Sequence, residues 1–414
     1  MFLLGFSNTN MVRSLLESIS PTLNFEAGQI ASLPILNMEK SKAIENTKKL
    51  IEIAKNDWDM AETSWGFKRL DIVSASQYKD KIKESYSYIF EEWVRATEVV
   101  QELEQENNQI FSKAYGVEDE VDSTVPYNEI SINCNPFFRY GTSLTDNERN
   151  LRLQSDTITE LVSYAVGCFM GRYSLDREGL VYAHLGNEGF AQLVVDGAYS
   201  TFRADEDGII PLTDQEWFKD DATNRFREFV QVVWGEEHLQ ENLDFVAESL
   251  CLNAIKPKKS ESALETIRRY LSTQFYKDHL KTYKKRPIYW LFSSGKQKAF
   301  ECLVYLHRYN EGTLSRMRTE YVTPLLGKYD AYAEQLEKQI ETADSTSEAN
   351  RFKKELDALI KKQVELREFD DKLKHYADMR ISLDLDDGVK VNYGKFGDLL
   401  ADVKAITGSA PEVN

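Results

Sequence analysis

Residues 352–373, FKKELDALIKKQVELREFDDKL, place a large apolar side chain at every seventh position. These side chains are Phe352, Leu359, Leu366 and Leu373. A seven-residue apolar repeat is typical of a helix that packs lengthwise against a second helix. The segment before it also has apolar side chains at helical spacing, namely Tyr329, Tyr332, Leu336 and Ile340. Because the polar linker 342–347 separates the two segments, the pattern predicts an intrachain helical hairpin over residues 328–380.

The rest of the chain also favours helices. Amphipathic or buried helical patterns cover residues 10–20, 38–66, 76–114, 156–168 and 222–275. An extended segment is predicted at 22–30, and short apolar runs predict strands at 180–182, 193–195, 209–212, 288–292 and 389–396. We therefore predict a mainly α fold with small β elements, that is, an α+β protein. A chain of 414 residues is long enough for two to four modules, among them long spacer helices and the C-terminal hairpin.

The composition excludes several classes of protein. The four cysteines form no CxxC pair and the five histidines show no metal-ligand spacing, so no metal site is predicted. Scattered, unpaired cysteines are typical of a reducing compartment, and we expect a cytoplasmic protein. The apolar start, residues 1–6, is short and lacks the basic leader of a signal peptide. No run approaches the roughly 20 apolar residues of a membrane span, so no membrane partner is expected.

Charge is distributed unevenly along the chain. Residues 256–318 contain 15 lysines and arginines but five acidic residues, so this segment carries +10 in a chain of −17 and leaves −27 on the rest. Its densest part is YKDHLKTYKKRP, residues 276–287, in which cations alternate with aromatic rings. Since such cations neutralise phosphates and rings can stack on bases, the segment predicts contact with double-stranded DNA. The candidate DNA-binding residues here are Lys277, Lys281, Lys284, Lys285, Arg286, Lys296 and Lys298.

Two other interpretations of the basic segment stay open from the sequence. It can be a solvated helix face packed against the chain's own acidic helices, or it can face an acidic surface of a partner protein. An independent enzyme such as a nuclease is a weaker hypothesis. The acidic clusters 205–207 and 386–387 lack a supporting lysine or histidine pattern and are interpreted as loop carboxylates.

The tetrapeptide Asn135–Phe138 (NPFF) is similar to the Asn-Pro-Pro-aromatic motif with which amino-methylating DNA methyltransferases hold a flipped base. Such an enzyme also needs a glycine-rich turn after a strand to bind S-adenosylmethionine. The closest approaches, residues 167–171 and 186–189, lack that context. We therefore predict no catalytic residue in this chain, and we interpret Asn135 as part of a structural turn before Arg139.

Six segments, taken in order, resemble one known family. They are 3–35 (LLGFSNTNMVRSLLESISPTLNFEAGQIASLPI), 57–67 (DWDMAETSWGF), 133–141 (NCNPFFRYG), 161–176 (LVSYAVGCFMGRYSLD), 207–211 (DGIIP) and 275–294 (FYKDHLKTYKKRPIYWLFSS). Their order resembles the C-terminal half of the PglX-type adenine-specific DNA methyltransferases of bacteriophage-exclusion (BREX) systems. The last segment is quite specific to that family. Residues 107–117 (NNQIFSKAYGV) are also similar to a segment that follows spacer helices in single-chain restriction–modification enzymes.

The resemblance implies a domain organisation. Complete family members carry an N-terminal domain that binds S-adenosylmethionine and transfers the methyl group, then a target-recognition region, then a helical C-terminal region. This chain would contain 1–36 as a remnant of the recognition region, 37–115 as a helical spacer, 116–325 as an α+β domain with the basic segment, and 326–414 as the hairpin with a tail. Asn24 and Gln29 would lie in the recognition remnant and are candidates for reading DNA sequence, although such side chains in loops commonly bond to local backbone.

The resemblance also implies a function. We expect DNA binding, target recognition and assembly within an N6-adenine DNA methyltransferase of a phage-defence system. The chain by itself is expected to bind no cofactor and to be inactive, because S-adenosylmethionine would bind to the catalytic domain of the complete enzyme. Its expected partners are double-stranded DNA and a catalytic methyltransferase domain or other BREX proteins. The alternative is a protein-interaction scaffold that docks other defence components, with DNA contact incidental.

Overall fold

The computed structural model describes residues 1–20 and 24–409, which fall into two compact units. The first unit comprises residues 1–78 and 83–154, and the second comprises 79–82 and 155–414. The chain is mainly helical with one small antiparallel sheet, which confirms the predicted fold class. Within the described ranges, every helix is too short or too polar to span a membrane.

Up to residue 169, the described residues fold as helices joined by turns and loops. Their bounds are α1 (Phe2–Ser7), α2 (Asn10–Ile19), α3 (Ala27–Ala31), α4 (Ser41–Asp59), α5 (Asp71–Ser74), α6 (Ile82–Tyr115), α7 (Pro136–Tyr140) and α8 (Asp146–Phe169). In the first unit, Phe6, Val12 and Phe111 from α1, α2 and α6 are buried in one apolar cluster. Helix α1 lies close to α4 because Gly5 has no side chain, and a Cβ atom there would lie 2.3 Å from Thr47 Oγ1.

The second unit adds further helices and the sheet. Its further elements are α9 (Phe190–Val195), β1 (Ile209–Pro211), α10 (Ala222–Trp234), α11 (Leu239–Asn253), α12 (Ala263–Tyr270), α13 (Tyr276–Thr282), β2 (Tyr289–Ser293), β3 (Glu301–Tyr305), α14 (Thr313–Arg316), α15 (Thr323–Glu341), α16 (Thr346–Asp378), α17 (Gly388–Gly394) and α18 (Val403–Thr407). One π-helical segment, Leu271–Phe275, joins α12 to α13, and another, Met317–Val322, joins α14 to α15.

The sheet has the strand order β1-β3-β2, and both pairings are antiparallel. Trp290 and Ile209 lie opposite Val304 of the central strand on its two sides. Residues of all three strands are buried, with Ser293 the half-buried exception. A sheet covered in this way needs apolar residues at consecutive positions, which explains the unbroken YWLF run of β2. The strand predicted at 288–292 is thereby confirmed.

The predicted hairpin is formed by α15 and α16. Tyr329 and Leu336 on α15 are buried together with Leu359, Leu366 and Leu373 on α16, and Phe352 is partly buried against the same core. That core is continuous with the sheet, because Trp290 of β2 and Val304 of β3 belong to the same cluster. The Ser345 side chain caps α16 by accepting a hydrogen bond from the Glu348 N–H. The hairpin prediction is confirmed within one chain.

Several local predictions were wrong. Residues 193–195 lie in α9, and residues 388–394 form α17 instead of the strand predicted at 389–396. Residues 180–182 form no strand. Part of the segment predicted as extended at 22–30 is α3, while Pro21–Leu23 and residues 410–414 at the end of the predicted tail lie outside the described residues. The division into four modules stays a prediction.

Candidate nucleic-acid interface

Helix α13 carries the densest part of the basic segment and has two different faces. Its inner face contains Tyr276 and His279, which are 5% and 3% exposed. The Tyr276 hydroxyl lies 3.0 Å from the Tyr393 hydroxyl, inside the second unit. The His279 ring stacks on Tyr289 of β2, with ring centroids 4.9 Å apart. The aromatic residues of the segment therefore hold the helix on the sheet instead of lying free to stack on bases.

His279 fixes the chain where it enters β2. Its Nε2 accepts hydrogen bonds from the backbone N–H groups of Ile288 (3.1 Å) and Tyr289 (3.2 Å). Burial of the imidazole, with a further contribution from the Arg172 guanidinium, lowers the pKa of His279 to about 3. The ring is consequently neutral at pH 7, and its Nε2 lone pair is available for both backbone donors.

The outer face of α13 and the loop after it form a surface of cations, which we call the cationic strip: Lys277, Lys281, Lys284, Lys285 and Arg286. All five residues are exposed, and within the described part of the chain none of them makes an ion pair. Lys277 and Lys281 are four residues apart and thus lie on one face of the helix. The one acidic residue among them, Asp278, accepts hydrogen bonds from the Tyr270 hydroxyl and the Gln274 amide, so its carboxylate is engaged with the preceding turns.

Lys284 and Lys285 have an unfavourable backbone conformation. Their φ angles are +50° and +61°, in the left-handed region that favours glycine. The conformation ends α13, because the Lys285 N–H donates to the Leu280 carbonyl oxygen (2.7 Å) in the manner of a helix C-cap. Two lysines thus occupy positions where glycine would be less strained.

Other cations of the basic segment have partners within the second unit. Arg268 pairs with the buried Asp221, Arg269 with Glu261, and Arg318 with Asp370. Arg308 is 1% exposed and donates to the backbone carbonyls of residues 205 and 206. The sequence count of 15 cations therefore overstates the charge available to a partner, because these arginines stabilise the fold.

Lys296 and Lys298 lie in the turn between β2 and β3. Glu365 of α16 holds this turn by accepting hydrogen bonds from the Ser294 hydroxyl (2.7 Å) and from the Gln297 and Ala299 N–H groups (2.6 and 3.1 Å). Lys296 is exposed. Lys298 Nζ donates to the Ser272 carbonyl (2.8 Å) and to Glu301 Oε2 (2.9 Å). Lys298 consequently has a structural role, and DNA contact by either lysine stays a prediction.

The two candidates for sequence reading belong to the first unit. Asn24 is exposed in a coil segment. The Gln29 side chain accepts a hydrogen bond from the Glu26 N–H (2.8 Å) and completes a capping box at the start of α3. That contact is the local backbone bond to which such residues are prone. A DNA-reading role for either residue stays a prediction.

Asn135 of the NPFF motif is a structural cap. It is fully buried, and its Nδ2 donates to the carbonyl oxygens of Tyr127 (2.7 Å) and Ile130 (2.9 Å). Its Oδ1 accepts from the Phe137 N–H (3.0 Å) at the start of α7. With these contacts made, the side chain has little capacity left for a base. The structural interpretation of this turn agrees with its geometry.

Replacing Asn135 should therefore destabilise the first unit. We expect Asn135→Ala to lower the free energy of unfolding by about 2–4 kcal/mol, since a buried cap and two further hydrogen bonds are lost. Urea denaturation followed by circular dichroism measures this change. The exposed Asn128→Ala in the same loop is the control and should change it by less than about 0.5 kcal/mol. Equal midpoints for the two variants would contradict the structural role.

Sequence reasoning did not identify Asp57 as the residue that anchors this loop. Its Oδ2 accepts hydrogen bonds from the Asn133 N–H (2.7 Å) and the Asn133 side-chain amide (3.0 Å), and its Oδ1 accepts from the Cys134 N–H (2.8 Å). Asp57 lies on α4, 76 residues before Asn133, so no local pattern connects the two. The matching segments 57–67 and 133–141 are thus brought together in the first unit.

Comparison with known proteins gives the remaining evidence. No family model matches the chain. It is 58% identical over 411 residues to the adenine-specific methyltransferase BrxX of Escherichia coli O9:H4 (strain HS). It is 36% identical over 416 residues to the adenine-specific methyltransferase PglX of Lacticaseibacillus casei (strain Zhang). These matches cover 99% and 98% of this chain but 33% and 32% of the relatives, so the chain spans about a third of their length.

Proposed function

We propose that this chain is the DNA-binding and assembly portion of an N6-adenine DNA methyltransferase of a BREX-type phage-defence system. The likeness to two adenine-specific methyltransferases over nearly the whole chain supports this proposal. Since the chain spans about a third of those proteins, we assign S-adenosylmethionine binding and methyl transfer to the part of such an enzyme that matches neither unit. Its partners would be double-stranded DNA and that catalytic domain or other BREX proteins.

The cationic strip is the observation that carries the DNA-binding part of the proposal. Five cations are exposed on one helix face and the adjoining loop, in a protein whose net charge is −17. Among the described residues none of the five has a carboxylate partner, whereas Arg268, Arg269 and Arg318 are neutralised within the unit. A flexible lysine suits a phosphate as a point charge, and a row of them suits the regular spacing of a duplex backbone.

The strain at Lys284 and Lys285 supports the same conclusion. A side chain in the left-handed region costs about 1–2 kcal/mol that glycine does not incur. The left-handed conformation ends the helix through a backbone N–H, which glycine would also supply, so the cap does not require a lysine side chain. Here the lysines have no packing role, because both are exposed. A function that requires their charge explains why lysine stands at both positions.

The proposal predicts a specific effect of glycine at these positions. The wild-type chain should bind a duplex of about 30 base pairs with a log–log salt slope near −4.5 if all five cations contact phosphates. Lys284→Gly/Lys285→Gly should reduce the magnitude of that slope by about 1.8 and weaken binding, because two phosphate contacts are lost. Its melting temperature should not fall, since the relieved strain offsets the greater freedom of glycine in the unfolded chain. Fluorescence anisotropy at several salt concentrations and a thermal melt measure both quantities.

Ser260→Gly is the matched control. Ser260 also has a positive φ, +65°, and is exposed in the second unit, but it carries no charge. In this variant, as in the double glycine variant, the melting temperature should not fall. Its DNA affinity and salt slope should stay at their wild-type values. If the Lys284→Gly/Lys285→Gly variant instead keeps the wild-type salt slope, the strip does not lie on phosphates and the DNA-binding proposal is wrong.

A second candidate function is a protein-interaction scaffold. Helix α16 presents Ile360 and Val364, one turn apart, which are 46% and 52% exposed although the same helix buries its heptad positions. Adjacent exposed apolar side chains on an ordered helix favour a protein partner. DNA binding separates the two functions, because a scaffold without a DNA role would show no salt-dependent affinity for a duplex.

A further inference from the structure

A cavity of about 190 Å³ lies within the first unit, between α1, α4, α6 and the segment Ser131–Ile132. Most of its wall is apolar: Leu4, Leu50, Ile51, Ala54, Val100 and Ile132. A dry apolar cavity of about 150 Å³ is large enough to hold a benzene molecule, so this space accommodates a small organic group. The cavity shares no residue with the cationic strip, and the methyltransferase proposal makes no use of it.

One ionisable side chain, Glu104 on α6, lines this cavity. Within the described residues, its carboxyl group makes no hydrogen bond and no ion pair. Two cations of the first unit pair with other carboxylates, Arg13 with Glu17 and Glu129, and Lys42 with Glu106. Two polar residues of the wall are also engaged, since Thr47 Oγ1 donates to the Ala43 carbonyl and Asn8 Nδ2 donates to the Leu4 carbonyl.

The environment of Glu104 opposes its charged form. Burial, and secondly the carboxylate of Glu129, raises the pKa of Glu104 to about 7. An ammonium group placed in the cavity would offset both effects, because it supplies hydrogen-bond donors and a positive charge, and no cation is among the residues that line the wall. A neutral ligand of the same shape would gain the apolar contacts alone. The site therefore discriminates by charge as well as by size.

We propose that this cavity binds an organic cation, in which a short aliphatic or aromatic group lies against the apolar wall and a protonated amine contacts Glu104. The same chemistry is present in a free alkylamine and in the lysine side chain of a partner polypeptide. An ammonium group on a four- to five-carbon stem matches a cavity of this size in both cases. The two sources differ in whether a peptide backbone must remain outside the cavity.

The test uses the full chain at pH 8, where Glu104 is mostly ionised. Binding of n-pentylamine, pentan-1-ol and a lysine with blocked backbone termini is followed by chemical-shift changes in a ¹H–¹⁵N spectrum. We expect the amine to bind at least about tenfold more tightly than the alcohol, since a charge-assisted hydrogen bond is added. If pentylamine binds in a saturable manner and blocked lysine does not, the site is assigned to a free amine. If blocked lysine binds in a saturable manner, the site is assigned to a polypeptide partner. If neither cation binds in a saturable manner, the proposal is wrong.

Two variants locate the binding. Glu104→Gln keeps the size of the side chain, and it should remove the tenfold preference for the amine while affinity for pentan-1-ol stays unchanged. Glu102→Gln is the matched control, because Glu102 is exposed two residues away on α6 and lies outside the cavity wall. It should bind both probes as the wild type does. If the two variants lose the preference for the amine to the same extent, the effect comes from net charge and the assignment to Glu104 is overturned.

Discussion

Leu366→Asp is expected to unfold the helical hairpin and to destabilise the second unit. Leu366 is fully buried, and its neighbours in the core include residues of α15 and of the sheet. Removing a buried leucine side chain typically costs about 2–5 kcal/mol, and a buried, unpaired carboxylate adds to that cost. The adjacent Glu365 holds the turn between β2 and β3, so displacement of α16 also releases that turn. A loss above about 4 kcal/mol would remove a large part of the free energy of unfolding of an ordinary domain.

Hydrogen exchange and urea denaturation measure the effect and locate it. Amides of α15, α16 and the sheet should lose protection, since they share one core. Val364→Asp is the control on the same helix, because Val364 is 52% exposed and a carboxylate there stays in water. The wild-type melting temperature should not depend on protein concentration, since the seam lies within one chain. A melting point that rises with concentration, or equal midpoints for the two aspartate variants, would contradict the intrachain seam.

The hairpin could be predicted from sequence because its signal is long. Four heptad positions from Phe352 to Leu373 point in one direction, and a period measured over 22 residues is hard to mistake. The short apolar runs predicted as strands carry no comparable periodic signal. Residues 389–396 have an apolar pattern that also suits a strand, yet residues 388–394 form α17. In this helix Asn392 Nδ2 donates to the Gly388 carbonyl, and Tyr393 is buried in the hairpin core. Tertiary packing decides the structure of such short segments.

The position of the candidate interface could be predicted from the sequence, but the side chains exposed on it could not. The sequence locates the basic run and the strand that follows it. It does not show which cations are available, because Arg268 pairs with Asp221, 47 residues away, and Arg318 pairs with Asp370, 52 residues away. It also does not show that His279 and Tyr276 face the sheet, since a helix of seven residues is too short for a reliable periodicity. The Glu104 cavity has no sequence signal at all, because three helices from separate parts of the chain form its wall.

Reversing the cationic strip should have the largest effect on DNA binding. In the variant Lys281→Glu/Lys284→Glu/Lys285→Glu/Arg286→Glu, four attractions to phosphate become repulsions. An exposed pair of charges 4 Å apart interacts with about 1 kcal/mol in water, so affinity should fall at least a hundredfold to a thousandfold at low salt. The magnitude of the salt slope should decrease by about 3.6, and duplexes of different sequence should be affected alike. Anisotropy titrations with unrelated duplexes measure both results.

Net charge alone could weaken DNA binding, and a second variant removes that ambiguity. Lys353, Lys354, Lys361 and Lys374 are exposed on α16, so their replacement by glutamate changes the net charge of −17 by the same −8. At about 0.15 M salt the field of an exposed charge decays over roughly 8 Å, and distant reversals should therefore alter the affinity much less than reversals in the strip. Equal losses in both variants would indicate a diffuse electrostatic effect. If the strip variant stays folded and keeps both affinity and slope, the strip faces an acidic protein surface, and the scaffold becomes the better description of this chain.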